Sequence, residues 1–548
     1  MRVMPGATSR APSAPGIRSG APDPAGVRSL PARIWSGHRL FVIVLVPAVL
    51  LRADAELGYR WQAWFNDSFL YVQDTIHLNL DPTRVSGYSV FLKILEPLHS
   101  YAFITILQHL MGLAVAVMIY ALARHRFGAP AWLATLAAVP VLYDGYEIEL
   151  EHLILSDVPF LFVLMLAITL LLWDPQSPAG PSTRRSAVIG LLLGLGWALR
   201  SIGEPLFVLF VLYMIIRRFN WRKLAATVVV GAVPVLAYAG MFDLEHGQLA
   251  MSDATGVFLY SRVMTFAECP KMNVPADELW LCTTQAPDQR VIAQNFIWRS
   301  TAHTPLDRIA GKPFTPLQNK LAEDFAIRAI EAQPLDYASA VWGDTWRVFG
   351  WTRQVFPNPQ TYDEYEFLAR ATPIPTWDDA HLGRYNSYAA AYARANPETQ
   401  VVNPFAAIIR DYQKYLWLPG TVYGLILLAG LGGMVLAWRR LGGEALLPWA
   451  ISLALIVVPA ATAEFDYRYV LPAVPFACLA AVMAFSPGTA GGAWRRRLWD
   501  AIRRTAGRGA GTAAGRGAGT ADGPAGDGVP ARAGGAGDDE RDLATDGA

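Results

Sequence analysis

The sequence predicts an all-α, polytopic membrane protein, and three observations predict it. Hydrophobic residues make up 53% of the 548 positions and charged residues only 17%, where soluble chains carry about a quarter charged. The apolar residues fall in long blocks bounded by arginines, as in segments that cross a bilayer. Threading about ten spans from a cytoplasmic N-terminus then puts every basic cluster on the cytoplasmic side. Those clusters are Arg28/Arg33/Arg39, Arg124/Arg126, Arg184/Arg185, Arg217/Arg218/Arg222/Lys223, Arg439/Arg440 and Arg495/Arg496/Arg497.

The elements follow in order. Residues 1–34 are rich in Pro, Gly, Ser and Arg without periodicity, a composition that buries no core and reads as a disordered cytoplasmic arm. Apolar segments are expected near 36–53, 101–123, 130–144, 157–173, 187–200, 203–217, 224–241, 417–437, 444–462 and 468–486. Several fall short of the roughly 20 residues that span a bilayer upright. The first, Leu40–Leu51 followed by Ala53-Asp54-Ala55, has the look of a signal peptide; Arg52 interrupts the join, and an uncleaved first helix is expected. Residues 35–241 would form the transmembrane core, with external loops at 54–100 and 144–157. A large external mixed domain would span 242–415, the last helices 416–486, and a cytoplasmic basic segment and disordered tail 487–548.

Composition also removes classes. A net charge of +1 from 46 basic and 45 acidic residues gives no bulk field for nucleic acid, so no such partner is expected. Three cysteines exclude a disulfide-rich scaffold and a multi-cysteine zinc module. Cys269 and Cys282 lie in the large external region, where an oxidising compartment would join them; two free thiols are the other reading. Cys478, in the last apolar segment, reads as a small core residue.

Candidate chemistry gathers in the external stretches. The first loop carries Asn66-Asp67-Ser68 and Tyr71, then Gly87-Tyr88-Ser89 before an apolar run. An acid at an aromatic membrane rim is partly desolvated, which raises its pKa toward that of a general base; an exposed loop aspartate is the plain alternative. Gly87-Tyr88 reads equally as a turn with a rim aromatic. The second loop holds Asp144, Glu147, Glu149, Glu151, His152, Ser156 and Asp157, a density of acids that needs a polar environment. Asp157 would either cap the helix at Pro159 or present its carboxylate to a ligand. His152 among these acids admits a metal, but without tight ligand spacing none is favoured. Arg200 and Arg468 stand at outer helix ends against the positive-inside trend. Each would pair with a neighbouring acid, Glu204 or Asp466, or grip a phosphate with its planar fork.

Asp67 with Tyr71, Gly87-Tyr88-Ser89, Ser156-Asp157-Val158-Pro159-Phe160, Arg200, and Arg468-Tyr469 with Pro472 and Pro475 occur in this order. The order resembles the GT-C superfamily of polyprenyl-phosphate-sugar-dependent glycosyltransferases, among them protein O-mannosyltransferases and lipid A aminoarabinose transferases. Ser68 stands where many members carry a second acid, Ser89 where they carry proline, and the first loop has no Asp-x-Asp pair. The resemblance implies a GT-C-like core in the cell membrane with both termini cytoplasmic. It also implies an inverting transfer of a sugar from a polyprenyl-phosphate donor to a glycan, lipid or protein hydroxyl at the outer face. Asp67 would be the catalytic base. Asp157, Tyr71, Glu151 and His152 would bind substrate, and Arg200 and Arg468 the lipid phosphate. No cofactor is expected, because the activated bond arrives on the lipid. A transporter or flippase, which would need polar residues deep in its helices, and a membrane scaffold that scatters these residues are the competing classes.

Overall fold

The structure, a computed structural model, describes residues 30–60, 63–173, 180–298, 305–308, 314–370, 387–437 and 443–486. The expected disordered arm, apart from its last residues, the tail, and the basic clusters at Arg439/Arg440 and Arg495–Arg497 lie outside them. In the first cluster, of Arg28, Arg33 and Arg39, only Arg39 has a described side chain.

Each of the ten apolar segments lies on a helix. These are α1 (Leu30–Gly58), α4 (Tyr101–Ala121), α5 (Ala131–Tyr143), α7 (Asp157–Leu172), α8 (Thr183–Leu199), α9 (Gly203–Ile216) and α10 (Trp221–His246). Late in the chain come α15 (Gly420–Leu436), α16 (Leu446–Thr462) and α17 (Val474–Phe485). Among the described residues four helical stretches are by themselves long and apolar enough to cross a membrane. A fifth arises if α14 (Phe405–Tyr415) and α15, bent by 59°, count as one span. The expected number of about ten crossings is therefore not reached by length alone. Helices of 13 to 16 residues such as α5, α7 and α9 reach only part of a hydrocarbon layer about 30 Å thick.

Local chemistry sets the helix ends. Ser100 accepts a hydrogen bond from the Phe103 amide at the start of α4, and Ser182 and Asn220 do the same for α8 and α10. Such caps satisfy donors that have no partner within the helix. The closest pair is α8 with α10. A Cβ on Gly190 would meet the Thr227 carbonyl, and one on Gly194 the Gly231 carbonyl, so only small residues let these backbones touch.

Two short helices, α2 (Asn66–His77) and α3 (Gly87–Leu95), fill the first loop, and α6 (Gly145–His152) fills the acidic one. The expected turn at Gly87-Tyr88 is instead a helix start. Gly87 lies so close to the Ala198–Leu199 backbone that a Cβ has no room. Tyr88 is buried rather than at the rim, donating to Gln108 Oε1 at 2.8 Å.

The described residues of 242–415 are helical and irregular with one two-residue strand, and are built on α11 (Thr255–Val263), α12 (Pro316–Ala332) and α13 (Pro334–Arg347). Tyr260, Val263, Phe325 and Ala329 form an apolar centre of its own, beside the Cys269–Cys282 disulfide. Its two-residue strand Gln400–Val401 pairs antiparallel with Tyr59–Arg60 just after α1. The region also bonds to the last turn of α16, through Tyr337 to the Ala461 carbonyl (3.1 Å), and to the connection after it, where the Phe465 amide donates to Asp344 (3.3 Å). Cys478 is buried in α17, as expected.

Candidate functional site

Asp67 is the second residue of α2, and two guanidiniums hold it. Arg84 Nη1 lies 2.5 Å from one carboxylate oxygen, and Arg468 Nη1 2.7 Å from the other. Arg84 comes from the segment before α3, and Arg468 from the 3-10 turn Tyr467–Tyr469 before α17. Arg468 also faces Asp466 at 3.3 Å, while Tyr365 from the 242–415 region donates to Asp466.

Tyr469 joins this clamp to a second one. Its ring lies under Arg468 at 5.3 Å and under Arg200 at 5.5 Å, a cation–π arrangement. Arg200, the residue that ends α8, pairs with Asp157, the first residue of α7. Its expected partner Glu204 is not used. The expected Ser156–Asp157 cap is also absent. Ser156 makes no cap bond, its hydroxyl lies 3.2 Å from that of Tyr71, and neither Asp157 oxygen makes a well-aligned hydrogen bond. Arg84 in turn stands over the Tyr71 ring at 5.8 Å. Asp67, Tyr71, Asp157, Arg200 and Arg468 are thus brought into one cluster. The arginine side chains there keep 13 to 17% of their exposure.

Glu151 and His152 are turned elsewhere. Glu151 takes both forks of Arg52, from Nε and Nη2, at 2.7 Å each, and His109 Nδ1 at 2.7 Å. His152 Nε2 lies 2.7 Å from the Tyr59 carbonyl. Gly112 on α4 leaves the space into which the Glu151 carboxylate fits. Both residues are fully buried in a network linking α1, α4 and α6.

The electrostatics of the cluster reverse one expectation. Burial pushes the Asp67 carboxyl up, as the sequence suggested, but the charges of Arg84 and Arg468 and their hydrogen bonds outweigh it. They hold the group well below the usual carboxylate range. Glu364, from the 242–415 region, moves the other way. Burial raises it to about 8; the Asn66 amide lowers it, Asp67 and Asp466 raise it further, and it makes no ion pair with either arginine of the clamp. Two acids set side by side and driven apart in pKa are the arrangement from which acid and base roles are divided.

Arg84 and Glu364 escaped the sequence reading. Arg84 carried part of the signal of Arg200 and Arg468, an arginine on the side expected to lack basic residues, but in the first loop rather than at a helix end. Glu364 carried none, because nothing near it in the chain reports that it meets Asp67. Arg353 escaped too. It packs against the rings of Tyr146, Tyr362 and Tyr467 at 4.6, 3.5 and 5.3 Å and pairs with Glu366 at 3.0 Å.

The fold and the cluster define a class: a multi-pass helical membrane protein whose polar chemistry is gathered where its connecting loops meet. No protein-family model and no curated protein sequence matches the chain. Among solved structures it is similar to the Archaeoglobus fulgidus oligosaccharyltransferase in its apo form, with a TM-score of 0.38 and 14% identity over 86% of this chain and 52% of that one. It is also similar to ArnT from Cupriavidus metallidurans bound to undecaprenyl phosphate, with a TM-score of 0.32 and 12% identity over 82% of this chain and 77% of that one. The chain spans about half the length of the archaeal enzyme.

Proposed function

We propose that the chain is an inverting glycosyltransferase of the outer membrane face, using a sugar linked to a polyprenyl monophosphate. The observation that supports this most is the joining of Asp67 and Asp157 to Arg84, Arg200 and Arg468 through the rings of Tyr71 and Tyr469. The same gathering speaks against a scaffold, in which nothing would draw these residues together. The lipid phosphate lies against the arginines, whose forks suit its oxygens. A bound phosphate competes with Asp67 for Arg84 and Arg468, loosens the clamp and lets the Asp67 pKa rise.

Asp67 then takes the proton of the acceptor hydroxyl. The acceptor oxygen bonds to the anomeric carbon with inversion, and the carbon–oxygen bond to phosphate breaks. The electron pair leaves on the lipid phosphate, where fixed cations in a dry site are most effective. Asp157 and Tyr71 orient hydroxyls of the sugar or acceptor, which is a glycan, lipid or protein. No soluble cofactor enters the reaction, since the donor is already activated. Both termini are cytoplasmic in this reading, and the Cys269–Cys282 bond suits an oxidising outer side.

The test is transfer from a panel of polyprenyl-phosphate sugars by the purified full chain, comparing wild type with Asp67→Asn. Product from one donor that disappears in the variant is expected; undiminished turnover in the variant removes Asp67 from the chemistry. Labelling a cysteine placed at exposed Leu78 from the cytoplasmic side alone would overturn the sidedness.

A further inference from the structure

Away from the arginine cluster, three side chains aim acceptor atoms at one point. They are Glu56 at the end of α1, His109 in the middle of α4, and His152 at the end of α6. His109 Nε2 lies 3.3 Å from His152 Nδ1, and Glu56 Oε1 lies 3.6 Å from the first and 3.7 Å from the second.

The tautomers follow from the other ring nitrogens. The Tyr59 carbonyl can only accept, so His152 Nε2 carries its proton. The Glu151 carboxylate, ion-paired with Arg52, also accepts, so His109 Nδ1 carries its proton. Each neutral imidazole therefore points a lone pair at the other. Glu56 Oε1, which is buried and makes no hydrogen bond, adds a third. Three electron-rich atoms facing one another are repulsive unless a cation sits between them. One shared proton would satisfy the two nitrogens and leave the carboxylate oxygen out.

We propose that Glu56, His109 and His152 bind a divalent transition metal of the zinc class. Ligands about 2.0–2.1 Å from a tetrahedral zinc stand about 3.3–3.4 Å from one another, which is close to the three separations here. Two imidazoles and one carboxylate favour such a metal over magnesium or calcium, which take oxygen. Glu151 on His109 and the Tyr59 carbonyl on His152 are the outer hydrogen bonds that orient metal-bound histidines. The Glu56 side chain is 15% exposed, which leaves room for water as the fourth ligand. The ion ties α1, α4 and α6 together and fixes the strand of chain that runs on to Ser156 and Asp157. It is a site of its own and does not rest on the glycosyltransferase reading.

The test uses the full chain in detergent with any affinity tag removed, stripped by chelator, then given zinc, cobalt(II) or magnesium, each alone. One retained equivalent of zinc is expected, with a higher thermal unfolding midpoint. Cobalt should give the visible bands of a tetrahedral site, bleached by zinc. Glu56→Gln, a near-isosteric change at the most exposed ligand, should lose most of the retained metal while keeping its helical circular dichroism, and His152→Gln should lose it too. A stripped wild type that retains no zinc and shows no cobalt bands overturns the proposal. Undiminished binding in both variants, or retention of magnesium in place of zinc, overturns it as well. Sugar transfer is measured separately, so failure of the metal assignment and failure of the catalytic reading are told apart.

Discussion

Two polar clusters lie a few residues apart in this molecule and differ in almost every physical respect. Around Arg52, Glu151 and His109 the side chains are buried, and Glu151 receives three short hydrogen bonds, with Arg52 at 3% exposure and Glu151 at 0%. Around Asp67 the arginines remain partly open, and Asp157 holds oxygens without a well-aligned hydrogen bond. Buried polar groups are almost always satisfied. In the first cluster the Glu151 carboxylate obeys that rule with charge set against charge, as a structural element must. The second leaves bonding capacity unused at Asp157, which the proposed binding role requires. Burial depth and bond completeness, more than residue type, separate the two roles.

The contrast is broken or sharpened by substitution. The largest effect expected is on Asp67→Asn, which removes the proposed proton acceptor. Turnover in the transfer assay should fall by about 100- to 10,000-fold, with helical circular dichroism kept and a smaller loss of stability than at Arg52, because Arg84 and Arg468 stay partly exposed. Arg52→Met should behave in the opposite way. It strands the Glu151 carboxylate in a dry site, a change that costs about 3–5 kcal/mol, read as lost stability in chemical unfolding. A version of Arg52→Met that unfolds like wild type would erase the distinction between the clusters. Arg468→Gln takes one fixed cation from the departing phosphate and should lower kcat by about 100- to 1,000-fold, measured under saturating donor.

The smallest effect belongs to Glu364→Gln. The native carboxyl is raised from 4.5 to about 8, so the folded chain keeps a proton that the unfolded chain has released. Stability therefore declines as pH rises from about 4.5 toward 8, by linkage. The glutamine variant should flatten that decline in melts taken across this window. An unchanged slope would place Glu364 outside the buried cluster.

The helices were legible because long apolar runs leave the chain few alternatives, and each of the ten runs lies on one. Crossing the bilayer is a separate property. Helices such as α5 and α9 are apolar but short, so the count of spans did not follow from the pattern. At the site, Asp67 and Arg468 were both legible as misplaced charges, yet their pairing across 401 positions was not. Without that pairing, desolvation was the one force visible on Asp67, and the inferred pKa direction came out reversed. Glu151 and His152 were legible as polar residues needing company. Their company, Arg52, Gly112 and His109, lies on α1 and α4, and only packing reveals it.

The stretch from Glu151 to Asp157 serves both clusters. One end is anchored among α1 and α4, and the other presents a carboxylate to Arg200. Its two ends are fixed in different clusters, so its length must satisfy both at once. Lengthening it by one residue would leave both clusters chemically intact and yet mismatched, a mechanical lesion that no point substitution reproduces.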